Sequence, residues 1–280
     1  MSSSAAPVLR PFLTAAVLVA LAGCTTSGAR ITAVEASVTT KAVGYLQADA
    51  VPASLALVPA PPAAGSAGFA LDEQVSREAR ALRGSPRFAQ AHTDAELGFP
   101  AGADQFSCAI DMDVDAVKTP ALYRLLERSR IDASAATRTA KKHYQRARPF
   151  MVNGEPTCTP EDEEGLRGNG SYPSGHTSIG WAWALILSEI APDRADAIQL
   201  RGRNYGESRL VCNVHWQSDI LEGRFMGAAA VARLHDNAAF NKDLLAARKE
   251  IVAARKAGLH SSRDCAAEEA VLKVRPESAL

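Results

Sequence analysis

The sequence predicts an all-α domain, a compact multi-helix bundle, on three observations. From Ala70 onward the chain runs in long stretches rich in Ala, Leu, Glu and Arg, all strong helix formers. Runs of alternating β-branched residues, the mark of half-buried strands, are few. The most apolar run, 179–187, carries Trp181 and Trp183 and is too short to cross a bilayer, so it reads as a buried helix. A chain of 280 residues that is 47% hydrophobic is long enough for one substantial core.

Taken in chain order, residues 1–23 read as an export signal of the lipoprotein type. Arg10 is the only charge before a run, 12–22, that is apolar apart from Thr14. That run ends in Leu21-Ala22-Gly23-Cys24, which resembles a bacterial lipobox with Cys24 as the lipidated residue, and Thr25 points to the outer membrane. Residues 24–69, rich in Ala, Pro, Ser and Gly, read as a tether, with a short structured piece over 43–57 as the alternative. Residues 70–258 form the helical domain, with helices expected over 72–83, 88–97, 120–138, 139–146, 160–166, 176–190, 194–209, 216–236 and 241–258. Thr159-Pro160-Glu161-Asp162 is a helix start, with Thr159 as N-cap and acids in the first turn. Residues 259–280 remain as a C-terminal tail.

Lys and Arg total 31 and Asp and Glu total 31, so no global basic field exists to attract nucleic acid, and contact with a membrane is expected only through the N-terminal anchor. If Cys24 is lipidated, Cys108, Cys158, Cys212 and Cys265 remain, an even number suited to two disulfides in an oxidising periplasm. Three connectivities are open. No CxxC spacing or Cys/His cluster suggests a metal. Asp111-Met112-Asp113-Val114-Asp115 has the start of a calcium loop, but Ala116 and Leu122 stand where its turn glycine and bidentate glutamate belong.

Three short segments carry the chemistry. In Lys141-Lys142-His143-Tyr144-Gln145-Arg146-Ala147-Arg148-Pro149, Lys141 and Arg148 are seven residues apart, which on one helix puts both on one face, able to clamp a dianion. Arg146 falls off that face. In Gly168-Asn169-Gly170-Ser171-Tyr172-Pro173-Ser174-Gly175-His176-Thr177, a glycine-rich loop feeds a helix whose first N–H groups can cradle an anion. Ser174 adds a hydroxyl, Gly175 allows close backbone approach, and His176 reaches the same place. In Ser208-Arg209-Leu210-Val211-Cys212-Asn213-Val214-His215-Trp216-Gln217-Ser218-Asp219, Arg209 is a forked anion donor. His215 and Asp219 stand at i and i+4, so the carboxylate can hold the Nδ1 proton and leave Nε2 as a nucleophile. Trp216 is read as core, and His92, His143, His235 and His260 as surface or helix-end residues.

Together the three segments follow K-x6-RP, PSGH and SR-x5-H-x3-D in order, and on these residues the chain resembles the bacterial class A non-specific acid phosphatases of the PAP2 and vanadium haloperoxidase superfamily. The resemblance runs from about Asp72 to Glu250. It implies a helical bundle of that type and hydrolysis of phosphate monoesters at acidic pH, over a broad substrate range, without cofactor or metal. It further implies that Lys141, Arg148, Ser174, Gly175 and Arg209 hold the phosphoryl oxygens. His215 then forms a phosphohistidine supported by Asp219, and His176 serves as acid and then base. Phosphate and vanadate would act as inhibitors, and the chain would form a homo-oligomer. Two other functions use the same pocket: a vanadate-dependent haloperoxidase, although those enzymes tend to be much longer, and a non-catalytic phosphate-binding lipoprotein.

Overall fold

Five helix starts are fixed by side chains that the sequence places just ahead of them. Ser66, Ser85, Ser174, Asn237 and Asp264 each accept a backbone N–H from the first turn that follows, satisfying donors a helix end otherwise leaves open. The computed structural model describes residues 42–280, so the expected leader and Cys24 lie outside the described residues. In chain order the α-helices are α1 (Ser54–Leu57), α2 (Ala67–Arg80), α3 (Pro86–Thr93), α4 (Ala101–Asp104), α5 (Ser107–Ile110), α6 (Pro120–Ala135) and α7 (Arg138–Tyr144). They continue with α8 (Pro149–Asn153), α9 (Glu163–Arg167), α10 (Gly175–Ile190), α11 (Ala195–Val211), α12 (Gln217–Leu234), α13 (Ala238–Lys256) and α14 (Cys265–Leu272). No strand occurs among the described residues, and the protein is all-α.

The apolar run 179–187 lies in α10, which packs against α6, α11, α12 and α13. Trp183 is fully buried there, and its indole N–H donates to the Leu126 carbonyl at 3.0 Å. Two glycines bring the neighbouring helices onto the first turn of α10. A Cβ at Gly223 of α12 would stand 2.7 Å from the Ser174 carbonyl oxygen, and one at Gly206 of α11 would stand 2.8 Å from Thr177 Cγ2. Because no side chain fits between them, α11 and α12 grip the segment that carries Ser174, Gly175 and His176.

Four expectations need correction. The span 24–69 is not a free tether over its described part: Tyr45 is buried, its hydroxyl donates to Asp243 at 2.8 Å, and its ring stands edge-on to Phe240. Ser54 accepts the Ala140 N–H at 3.0 Å, so an Ala/Pro-rich composition here hides two buried anchors. The tail 259–280 is not a plain tail either, because it forms α14 and is held by a Cys108–Cys265 disulfide. The other disulfide joins Cys158 to Cys212, which resolves the three connectivities. Thr159 makes no cap bond; residues Pro160–Asp162 form a 3-10 turn and α9 starts only at Glu163. The span expected as helix 139–146 stops at Tyr144, because Gln145 takes a left-handed conformation with φ 43°. The aspartates of the discarded calcium loop serve local structure: Asp111 meets His260, and Asp115 accepts the N–H groups of Val117 and Lys118.

Candidate active site

The three motif segments converge on one cavity of about 380 Å³, lined by Lys141, Arg148, Gly175, His176, Arg209 and His215. Lys141 projects from α7, and its ammonium donates to the carbonyls of Gly170 at 2.7 Å and Ser171 at 3.2 Å, tying the glycine loop to that helix. Arg148 arrives by a different route from the one its spacing suggests. It does not share a helix face with Lys141: the left-handed Gln145 turns the chain, and Arg148 is the extended residue before α8, with Pro149 opening that helix. Its Nε donates to the Leu166 and Asn169 carbonyls, and its Nη1 lies 2.9 Å from the Val214 carbonyl and 3.1 Å from His215 Nε2.

Ser174 is the N-cap of α10, and its oxygen accepts from the N–H and the hydroxyl of Thr177, which leaves its own proton to be donated. Gly175 opens the helix. A Cβ there would meet only Thr137 Oγ1 at 3.7 Å and Lys141 Cε at 3.8 Å, so its cost would be occupation of cavity space, not a clash. The Nε2 of His176 lies 2.8 Å from the Ala95 carbonyl. A carbonyl only accepts, so Nε2 carries a proton and Nδ1 is the nitrogen left to titrate.

His215 also differs from its expected setting. It precedes α12 instead of lying on it, Trp216 is the N-cap and Asp219 belongs to the first turn. The i, i+4 pair meets nonetheless, because Asp219 Oδ2 accepts the Trp216 backbone N–H at 2.8 Å and lies 3.2 Å from His215 Nδ1. Nδ1 thereby donates, and Nε2 keeps its lone pair toward Arg148 and the cavity. Trp216 itself is core: it is buried and its indole donates to the Ala147 carbonyl.

No carboxylate lines this cavity among the described residues, whereas five cations do, counting Arg138 and Lys142 at the exposed mouth. Burial, and then the charge of Arg148, pushes the Lys141 ammonium down to about 7. Burial likewise lowers Arg148 and Arg209 to about 10. Both histidines sit well below the ordinary 6.5: burial and then Arg209 lower His176, while burial and then Arg148, Lys141 and Arg209 lower His215. On Arg209, Nε and Nη1 are buried with no hydrogen-bond partner. A site that withholds counter-charge from buried cations is built to receive a multivalent anion.

Sequence reasoning missed three contributors. Arg146, set aside because it falls off a helix face, bridges Asp72 and Asp219, each at 2.7 Å. Its signal in the sequence is a third cation two residues before Arg148, which the left-handed turn at Gln145 takes off the helix that spacing alone suggests. Asp72 had no local signal, since it reaches this corner from α2. The Ala95 carbonyl that holds His176 belongs to a loop whose Asp94 is gripped by Arg201, a pairing 107 residues apart in sequence.

The family model of the PAP2 superfamily matches residues 130–242, which contain every motif residue named above. A non-specific acid phosphatase of Providencia stuartii is 43% identical over 213 residues, covering 76% of this chain and 86% of that protein. An acid phosphatase of Zymomonas mobilis is 43% identical over 195 residues, covering 70% of this chain and 74% of its own. A non-specific acid phosphatase of Salmonella typhimurium is 40% identical over 195 residues, covering 69% and 78%.

Proposed function

This chain belongs to the PAP2 superfamily, and we propose that it is an acid phosphatase that hydrolyses phosphate monoesters through a phosphohistidine on His215. The observation that carries this reading is the buried, unpartnered Arg209 guanidinium facing the same cavity as Lys141, Arg148 and the His215 lone pair. A phosphoryl group, tetrahedral and multiply charged, satisfies all three cations at once.

In the proposed reaction, Lys141, Arg148, Arg209, the Ser174 hydroxyl and the Gly175 N–H hold the non-bridging oxygens. Arg148 Nη1 leaves His215 Nε2 for a phosphoryl oxygen as substrate enters, which frees the nucleophile. Nε2 attacks phosphorus in line, the bond to the ester oxygen breaks, and His176 gives that oxygen its Nδ1 proton. Asp219 supports the positive charge that appears on the His215 ring. Water then attacks phosphorus, yields its proton to His176, and displaces His215 as phosphate departs. The bound dianion opposes the neighbouring cations and raises both histidines, so that His176 is protonated in the complex at mildly acidic pH. Hydrolysis of p-nitrophenyl phosphate at about pH 5–6 tests the reading. Turnover there that is lost in His215→Ala supports it; no turnover, or bromide oxidation by vanadate-loaded protein in its place, overturns it.

We also propose that the chain is exported to the periplasm and anchored through a lipid on Cys24. The four other cysteines are all paired, which suits an oxidising compartment, and no helix among the described residues is long and apolar enough to cross a membrane. Incorporation of labelled palmitate that vanishes in Cys24→Ser is the expected result.

A further inference from the structure

We propose that Asp72 and Arg146 are positioning residues for His215, holding the Asp219 carboxylate so that a single oxygen faces the imidazole. The proposal deepens the phosphatase reading and rests on it for its kinetic consequences. Arg146 Nη1 donates to Asp219 Oδ1 at 2.7 Å, and its Nη2 donates to Asp72 Oδ2 at 2.7 Å. Ser218 closes the array: its backbone N–H and hydroxyl donate to the two oxygens of Asp72, and its hydroxyl oxygen accepts from Arg146 Nη1, all at 2.7 Å. The rings of Trp216 and Tyr172 flank the guanidinium at 5.5 and 5.9 Å. Asp72 and Asp219 are fully buried and Arg146 nearly so, so each bond is made where water cannot replace it.

The arrangement does two things for the nucleophile. With Oδ1 committed to Arg146 and Oδ2 shared between the Trp216 N–H and His215 Nδ1, the carboxylate has no freedom to rotate, and the ring it holds is aimed with Nε2 into the cavity. The charges also compose: Asp72 and Asp219 with Arg146 between them sum to one negative charge beside Nδ1, the amount an imidazolium at His215 needs. Without Asp72, the Arg146 cation would cancel Asp219 where that charge is used. The contact from Asp72 to Ser218 spans 146 residues, which makes α2 part of the reaction apparatus.

The test compares Asp72→Asn, Arg146→Lys and Arg146→Met with wild type in kinetics, in unfolding, and by proton NMR of the His215 Nδ1–H. Wild type should show that proton far downfield, and it should broaden or vanish in all three variants, a readout that does not depend on turnover. On p-nitrophenyl phosphate, kcat should fall about 10–100-fold with KM changed far less. The groups facing His215 are Arg148, Lys141, Arg209, Arg146, Asp219 and His176. Removing the Arg146 cation in Arg146→Met should therefore move the acidic limb of kcat/KM upward, while Arg146→Lys, which keeps the charge and loses the fork, should lower kcat with the limb in place. A merely structural pair would lower unfolding stability and leave the limb, the kcat of the folded fraction and the downfield proton unchanged, and that outcome overturns the proposal. If Arg146→Met does not fold, Asp72→Asn and Arg146→Lys decide alone. Absence of wild-type turnover would remove the phosphatase reading, and the NMR comparison would still decide whether Asp72 and Arg146 position His215.

Discussion

Helix α11 buries two of its three arginines, Arg201 and Arg209, about two turns apart and each 2% exposed, and they are built to opposite ends. Arg201 is saturated. Its guanidinium meets Asp94 and Glu268, donates to the Gln105 carbonyl and lies over the rings of Phe106 and Tyr205. Burial opposes its charge most strongly, but Asp94, Glu268 and Tyr205 together outweigh it and leave Arg201 above the ordinary arginine value. Arg209 has the same burial with Nε and Nη1 unpartnered, and it falls to about 10. The difference teaches that burial of charge alone does not mark a functional site. What marks it is burial from which the fold has withheld the counter-charge.

Substitutions at the two positions should therefore separate activity from stability. The largest effect belongs to the nucleophile beside Arg209: His215→Ala should lower kcat by on the order of 10⁴-fold or more. Arg209→Met should lower kcat/KM about 10²–10³-fold, as loss of one donor to a developing oxyanion does, with unfolding stability unchanged or raised because an unpaired buried cation is gone. Arg201→Met should do the reverse in stability, costing about 3–5 kcal/mol by urea unfolding as Asp94 and Glu268 lose their partner. Equal stability losses at both sites would dissolve the comparison.

Ligand and pH sharpen the same contrast. Phosphate at about 100 times its Kd should stabilise wild type and Arg201→Met by about 2.7 kcal/mol, and Arg209→Met far less at the same concentration. His176 and His215 are depressed in the folded state, so below the ordinary 6.5 the unfolded chain takes protons that the folded chain refuses. Stability of the free protein should therefore decline as pH falls from about 6.5 toward the folded values, and phosphate should restore it. Lys141, lowered to about 7, predicts that affinity for sulfate, whose charge is constant over this range, weakens above about pH 7. Lys141→Arg should shift that loss upward. The smallest effect belongs to the mouth: replacing exposed Arg138 and Lys142 with Ser should raise KM by less than about tenfold, mostly at low salt, with kcat unchanged.

The all-α class and the eight residues brought to this corner were readable because both depend on local pattern. Composition marks helices, and the three motifs keep their own order along the chain. Lys141 and Arg148 line one cavity across a left-handed turn at Gln145, and His215 meets Asp219 at a helix entry; neither pair lies on the continuous helix that its spacing suggests. Backbone reversals of this kind depend on what the turn packs against, which a single sequence does not carry. Asp72 and Tyr45 were unreadable for the same reason, since their partners lie 146 and 198 residues away. The Ala/Pro-rich span around Tyr45 left room for a short structured piece but carried no sign of the distant partners that anchor it.

The most direct test of the central claim is a rapid acid-free quench of His176→Ala with labelled p-nitrophenyl phosphate, followed by peptide mapping. The expected result is one phosphoryl group on the peptide carrying His215, stable to base and labile to acid, formed faster than it decays and absent from the His215→Ala/His176→Ala double variant. Release of nitrophenol in a single turnover with no label on the protein, or label on any other residue, would contradict it.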